Sequence, residues 1–267
     1  MAKKQTVTEV YTPLAAFRTL SRDERNLLLT AAHATNEMGA ILRLVMIAQN
    51  QPSIGPICDL YRDTQAFTLQ KVLAGKLYEC WKLVAARYFA TGLGQFYDEK
   101  LLDHGKESLA RLKRYFGRST NIIALVRNDA AFHYSRHDVS AYLDELTDDD
   151  CRVYLGNSKM HALYWVGEQP MRRHLLRQID PDNNRALEIM SQDLSDVGRD
   201  MGTFLGCVVL ALIRAAIHGQ ENKGRLRTCK LKETAYDPRT IKLPIFLDTS
   251  SDDALELEEL LQRANHE

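Results

Sequence analysis

Along most of this chain, hydrophobic residues recur at steps of three and four, the spacing that lines one face of an α-helix. The first such run holds Leu27, Ala31, Met38, Ile41, Leu42 and Val45. Ser21 and Glu24 precede it in a Ser-x-x-Glu arrangement, in which each side chain satisfies a backbone N–H of the other, so a helix should begin there. The stretch NQPSIGP (50–56) breaks it with Pro and Gly. A second stripe, from Leu69, Val72, Leu73 and Leu77 to Trp81, Val84 and Tyr88, predicts a helix over 59–90, closed by TGLG at 91–94. Residues 106–116 place Leu109, Leu112 and Phe116 on one side. A fourth helix should start near Ser119, with Thr120 as the alternative cap, and carry Ile122, Ile123, Leu125 and Val126. The clearest stripe runs through Leu187, Met190, Leu194, Val197, Met201, Phe204 and Val208. Asp180 is its expected cap, Pro181 its first helical residue and Gly219 its stop. Over 182–218 that helix would be about 55 Å long. Gly202 and Gly206 would permit close approach or a slight bend. The stripe reads as core, or alternatively as part of a dimer interface.

The helical period lapses in two places. CRVYLGNSKMHALYWV (151–166) alternates around Gly156-Asn157 and predicts a small β-hairpin after the acidic connector DELTDDD (144–150). Near the C-terminus, the basic NKGRLRTCKLKE precedes an extended IKLPIFLD and an acidic amphipathic helix in DDALELEELLQRA. The expected architecture is all-α: a bundle of long antiparallel helices with a hairpin insertion at 150–166. It divides into an N-terminal extension (1–20), a helical domain (21–219) and a tail (220–267).

Composition narrows the partners. The 267 residues suffice for a buried core, and 45% apolar with 26% charged residues is globular. With 35 basic and 35 acidic residues, net charge announces no polyanion, so nucleic acid would have to meet local patches. Five scattered cysteines without a CxxC pair point to reduced thiols in a cytoplasm, and away from a disulfide frame or a four-cysteine zinc site. The first residues hold no apolar core of signal-peptide length, and the oiliest run, TFLGCVVLALI (203–213), falls short of the roughly 20 residues that span a bilayer. No membrane contact is expected.

The chemistry concentrates in LVRNDAAFHYSRHD (125–138). In a continued helix Asp129 and His133 share a face, so the carboxylate would hold one imidazole nitrogen and make the other more basic. Arg127 lies about 120° around the helix from His133, within reach of one cleft if the helix frays near Phe132. Asn128 adds a neutral donor and acceptor. A guanidinium with an imidazole suits attack of an RNA 2′-hydroxyl on its own phosphate. The ring moves the proton near neutral pH, and the guanidinium binds the phosphate oxygens and their extra charge. DNA lacks that hydroxyl and would be spared. The structural alternative pairs Arg127 with Asp129 or Asp138 and leaves His133 half-buried on a carboxylate. A third reading makes His133 and His137 a metal-binding pair completed by His33 or Glu79. Ahead of the stretch, Arg111, Lys113, Arg114 and Arg118 form either a solvated basic face or a set of RNA phosphate contacts. MRRHLLR (171–177) and KGRLRTCKLK (223–232) read the same way. His104, His161, His174, His218 and His266 read as surface or edge histidines.

RNDAAFH, Arg127 to His133, resembles the signature of the HEPN superfamily (higher eukaryotes and prokaryotes nucleotide-binding). That signature is an Arg, four to six residues of which the first is polar and often Asn, then a His, at the end of a core helix. The helix-rich frame over 21–219 is similar too. HEPN domains are all-α bundles that usually dimerise with two copies of the motif across one cleft. Many are metal-independent endoribonucleases of toxin–antitoxin, abortive-infection and anti-phage systems, and others only bind RNA or nucleotides. The resemblance implies Arg127 and His133 as the catalytic pair, with Asn128 as the polar companion; Asp129, Tyr134 and His137 are the other candidates for supporting roles. It also implies an RNA substrate, a homodimer, a cognate antitoxin or defence partner, and neither cofactor nor metal. Some relatives carry His-x-Tyr after the motif, whereas here Tyr134 adjoins His133, which leaves the branch and the role of Tyr134 open.

Overall fold

The computed structural model describes residues 4–131, 140–156, 161–218 and 225–246. Its elements run β1 (Lys4–Tyr11), α1 (Leu14–Arg18), α2 (Arg22–Gln49), α3 (Pro56–Val84), α4 (Leu93–Tyr97), α5 (Asp103–Phe116), α6 (Ile122–Val126), α7 (Trp165–Arg177), α8 (Asn183–Ile217) and β2 (Arg225–Thr234). Helix takes 72% and strand 6%, so the all-α class holds.

α2 starts as its sequence dictates. Glu24 N–H donates to Ser21 Oγ (3.2 Å) while Ser21 N–H donates to Glu24 Oε2 (2.8 Å). The other Glu24 oxygen accepts the Tyr97 hydroxyl at 2.5 Å and ties α4 to this corner. The break before α3 turns on Gly55, whose φ of 121° favours glycine, and Pro56 then opens the helix. α3 widens into a π turn, Ala85–Phe89, and Gly92, at φ 76°, reverses the chain.

α8 is 35 residues long, about 52 Å, and α1, α2, α3 and α5 pack against it. From Met190 through Val208 the predicted stripe is buried, with Leu187 half-buried at its start, so the stripe serves the core. Tyr88 meets Phe204 edge-on at 5.3 Å. An 18-residue window of α8 has mean hydropathy 1.8, so length and composition alone would let this helix cross a bilayer, and half of that window is buried in the bundle.

Several boundaries correct the sequence reading. The α8 cap is Asp182, whose side chain accepts from the N–H groups of Asn184 (2.9 Å) and Arg185 (3.2 Å). Asp180 instead accepts from Asp182 N–H at 2.9 Å, which leaves Pro181 ahead of the helix. Gly206 has open space where a Cβ would stand and Gly202 only ordinary contact. The close approach is at Gly105, where a Cβ would come within 2.8 Å of Cys207. α5 begins at Asp103 rather than 106.

MRRHLLR is not a solvated run. It is the second half of α7, with Leu175 and Leu176 buried. Its arginines take up the acidic connector: Arg173 pairs with Asp150 at 3.0 Å and donates to the Glu145 carbonyl at 2.6 Å, and Arg177 pairs with the Glu145 carboxylate.

In the expected hairpin segment, Tyr154 and Leu163 form one antiparallel bridge with both hydrogen bonds at 2.8 Å. The two-stranded sheet lies elsewhere. β1, from the N-terminal extension, pairs antiparallel with β2, from the tail, with Val7 opposite Cys229 and Val10 opposite Leu226. Residues 241–246 form no strand. Gln51 clasps them, its Nε2 donating to Ile241 O (2.7 Å) and its Oε1 accepting from Leu243 N–H (3.3 Å). Gly219 and the predicted acidic helix lie outside the described residues.

Candidate active site

The site is built at the end of α6. Asn121 caps this helix, its Oδ1 accepting from Ala124 N–H at 2.9 Å, so neither Ser119 nor Thr120 is the cap. Ile123 and Val126 are fully buried and anchor it. The Tyr115 hydroxyl of α5 accepts from Ile123 N–H (3.3 Å) and donates to Asp193 of α8 (2.8 Å), so one phenol fixes α6 against two long helices. Burial, then the Asp193 carboxylate, pushes the Tyr115 phenol well above its ordinary value and keeps it a donor.

α6 passes directly into a π turn, Arg127–Ala131. The widened turn places Arg127 against α3. Its Nη1 donates to Asn128 Oδ1 at 3.1 Å, its Nη2 stands 3.5 Å from Glu79 Oε1, and its guanidinium lies over the Tyr78 ring at 5.2 Å. Among the described residues the carboxylate facing Arg127 is Glu79 rather than Asp129; Asp138, the other partner named by the structural alternative, lies outside them. Asp129 is half-buried on the same turn.

Asn128 opens onto a cleft of about 690 Å³. Ser119, Thr120 and Asn121 form one wall, Gln178 and Ile179 at the end of α7 another, and Ile189 of α8 the third. The amide groups and hydroxyls there can accept and donate, and the isoleucines supply an apolar floor.

His133, Tyr134 and His137 lie outside the described residues, as do Phe132 and Asp138, so the geometry of the proposed catalytic pair and of the His133/His137 metal alternative does too. Among the described residues no three His, Cys, Asp or Glu side chains cluster as a metal would require.

The basic set divides. Arg111 is engaged: its Nε and Nη2 donate to the two oxygens of buried Asp200 at 2.9 and 2.8 Å, and Nη2 also reaches Ser108 Oγ at 3.1 Å. Lys113 stands 3.8 Å from Asp98 and 5.0 Å from the Phe89 ring. Arg114 and Arg118 are exposed and have no carboxylate partner among the described residues; Arg118 lies 5.5 Å over the Tyr115 ring, one residue before the cleft wall at Ser119. Tyr78 and Gln178 went unread as parts of this site, and Glu79 was read only as a possible metal ligand, because their place beside Arg127 and Asn128 depends on α3 and α7 packing beside α6.

The chain matches no family model, and no curated protein and no solved structure matches it.

Proposed function

We propose that the protein is a metal-independent endoribonuclease in which Arg127 and His133 cut RNA by attack of a 2′-hydroxyl on the adjacent phosphate. The observation that carries the reading is Arg127. Its guanidinium is bonded to Asn128 on a π turn that closes α6, and Asn128 lines a cleft of about 690 Å³ whose walls carry amides and hydroxyls over an apolar floor. Single π turns inside helices are frequent at functional sites.

In this reading the imidazole of His133 takes the 2′-hydroxyl proton, and its copy in the second subunit of a homodimer gives a proton to the departing 5′-oxygen. The products are a 2′,3′-cyclic phosphate and a free 5′-hydroxyl. Arg127 grips the non-bridging oxygens as charge builds on phosphorus. Asn128 and Asp129 orient the pair. Arg114 and Arg118 supply backbone contacts on the approach, a role that Arg111, held by Asp200, does not fill. Glu79 makes one long contact to Arg127, so an RNA phosphate displaces it at small cost. A role in toxin or phage-defence systems, with a cognate antitoxin or defence partner, rests on the likeness of RNDAAFH to HEPN motifs.

The Glu79 and Tyr78 contacts also favour a second reading, in which Arg127 is held for packing and the module binds RNA without cutting it. Incubating purified protein with total RNA in EDTA separates the two. The enzyme cleaves, and Arg127→Ala and His133→Ala each lose at least about 100-fold in rate with unchanged circular dichroism. RNA binding without cleavage, weakening as salt is raised, identifies the binding module instead.

A further inference from the structure

A second cleft, also about 690 Å³, opens at the other end of α3 between α2, α7 and α8. One face of α3 lines it with Asp63, Phe67 and Gln70, at helical spacing. Gln70 is buried, 3% exposed, and its Nε2 donates to Ser191 Oγ of α8 at 2.9 Å, while Gln49 Nε2 approaches the same oxygen at 3.3 Å. The Ser191 hydroxyl therefore accepts twice. Both contacts are made on the cleft wall, where the amide and the hydroxyl keep further hydrogen-bonding capacity. A buried amide and a half-buried hydroxyl side by side on a cleft wall are a polar pair that a ligand can meet.

The charges point the same way. Arg62 and Asp59 already face each other at 3.8 Å, and Arg62 also donates to the Pro52 carbonyl. Arg172 of α7 lies 5.3 Å over the Phe67 ring without an ion pair to any described residue. Asp63 likewise has no hydrogen bond and no ion pair among them, although it is near enough to Arg172 to feel its charge. Glu188 stands exposed at the rim. A lone anion here would meet Asp63 and Glu188, and a lone cation would meet Arg172 and Arg62. A molecule carrying both charges meets complements at both ends.

We propose that this cleft binds a small zwitterion, an α-amino acid or a dipeptide, with its carboxylate on Arg172, its ammonium on Asp63, and its remaining polar groups on the Gln70–Ser191 pair. This site is separate from Arg127 and does not depend on the ribonuclease reading.

The test is calorimetric titration of the full chain with each standard L-amino acid and with glycylglycine, using acetate and methylamine as single-charge controls. One or more zwitterionic probes should bind once per chain. Acetate and methylamine should bind about tenfold more weakly or worse, and Arg172→Gln and Asp63→Asn should each lose about tenfold, the loss expected for one charge-assisted hydrogen bond. Arg127→Ala should bind as the parent does. If Arg172→Gln fails to fold, Asp63→Asn decides, because that residue is exposed to solvent. The proposal is overturned if no zwitterionic probe binds up to about 10 mM, if a control binds as tightly, or if the folded variants bind like the parent.

Discussion

Two arginine–carboxylate pairs in this bundle look alike in composition and differ in every physical respect. Arg111 gives Asp200 two parallel bonds at 2.8 and 2.9 Å, and Asp200 is 6% exposed and shares Ser108. Arg127 gives Glu79 a single contact at 3.5 Å, and the Glu79 side chain is half in water. The first geometry spends the guanidinium on joining α5 to α8. The second holds a guanidinium in place while leaving most of its donors for something else. A charged residue is available for binding when its partner is loose and wet, whatever the count of basic residues around it.

This contrast can be broken. Arg111→Ala should lower stability by about 2–3 kcal/mol, because it strips a buried carboxylate of its fork; the figure is below that of fully buried pairs since Arg111 keeps much of its side chain in water. Urea unfolding measures it, and a loss as small as that of Arg127→Ala, under about 1 kcal/mol, would erase the distinction. Next in size, Tyr115→Phe should cost about 1–2 kcal/mol by leaving Asp193 and Ile123 N–H without their shared hydroxyl. If α6 owes its placement to that phenol, RNA affinity should fall along with stability. Glu79→Gln should leave stability almost unchanged and raise RNA affinity about threefold in a filter-binding assay, by removing the anion that competes with phosphate. Unchanged affinity would mean that Arg127 is not the phosphate ligand.

The smallest effect is in acid. Burial pushes Glu24 up, but the Tyr97 hydroxyl and the Ser21 backbone and side chain together outweigh it and hold the carboxyl below its ordinary value. Asp150 is lowered as well, first by the Thr147 N–H and then, against burial, by the Thr147 hydroxyl and Arg173. A lowered carboxyl contributes stability that is complete above its unfolded value and disappears as pH falls through the folded one, so the loss should begin near pH 4 and deepen below it. Asp63 runs the other way. Although the residue as a whole is exposed, desolvation of its carboxyl at the cleft wall raises it more than Arg172 lowers it, so its ionised form costs a little stability that acid restores. Asp63→Asn should therefore remove a small opposing slope in a pH series of thermal midpoints.

What could be read from the sequence was local. Ser21 and Glu24 are neighbours on one helical turn, and the residues from Met190 to Val208 sit on one helix, so spacing alone placed them. α7 was missed because Pro170 interrupts it and because the acids that neutralise Arg173 and Arg177 come from a connector more than twenty residues earlier. The α8 cap was misplaced by two positions because Asp180 and Asp182 are both good caps, and only the fold decides which side chain reaches the free N–H groups. Arg127 was singled out by its motif alone. Its partners were not, since Glu79 and Tyr78 reach it only when α3 and α6 pack together. The same holds for Gln70, Ser191 and Arg172, which come from three helices and carry no motif.

The ladder between β1 and β2 has a consequence for synthesis. Residues 4–11 leave the ribosome well before their partner strand, residues 225–234. At about 5–20 residues per second, the first strand waits on the order of ten to forty seconds with a row of bare amide and carbonyl groups. During that interval Val7, Val10 and Tyr11 stand open to any other nascent chain, and the last strand to emerge is also the one that closes that exposed edge.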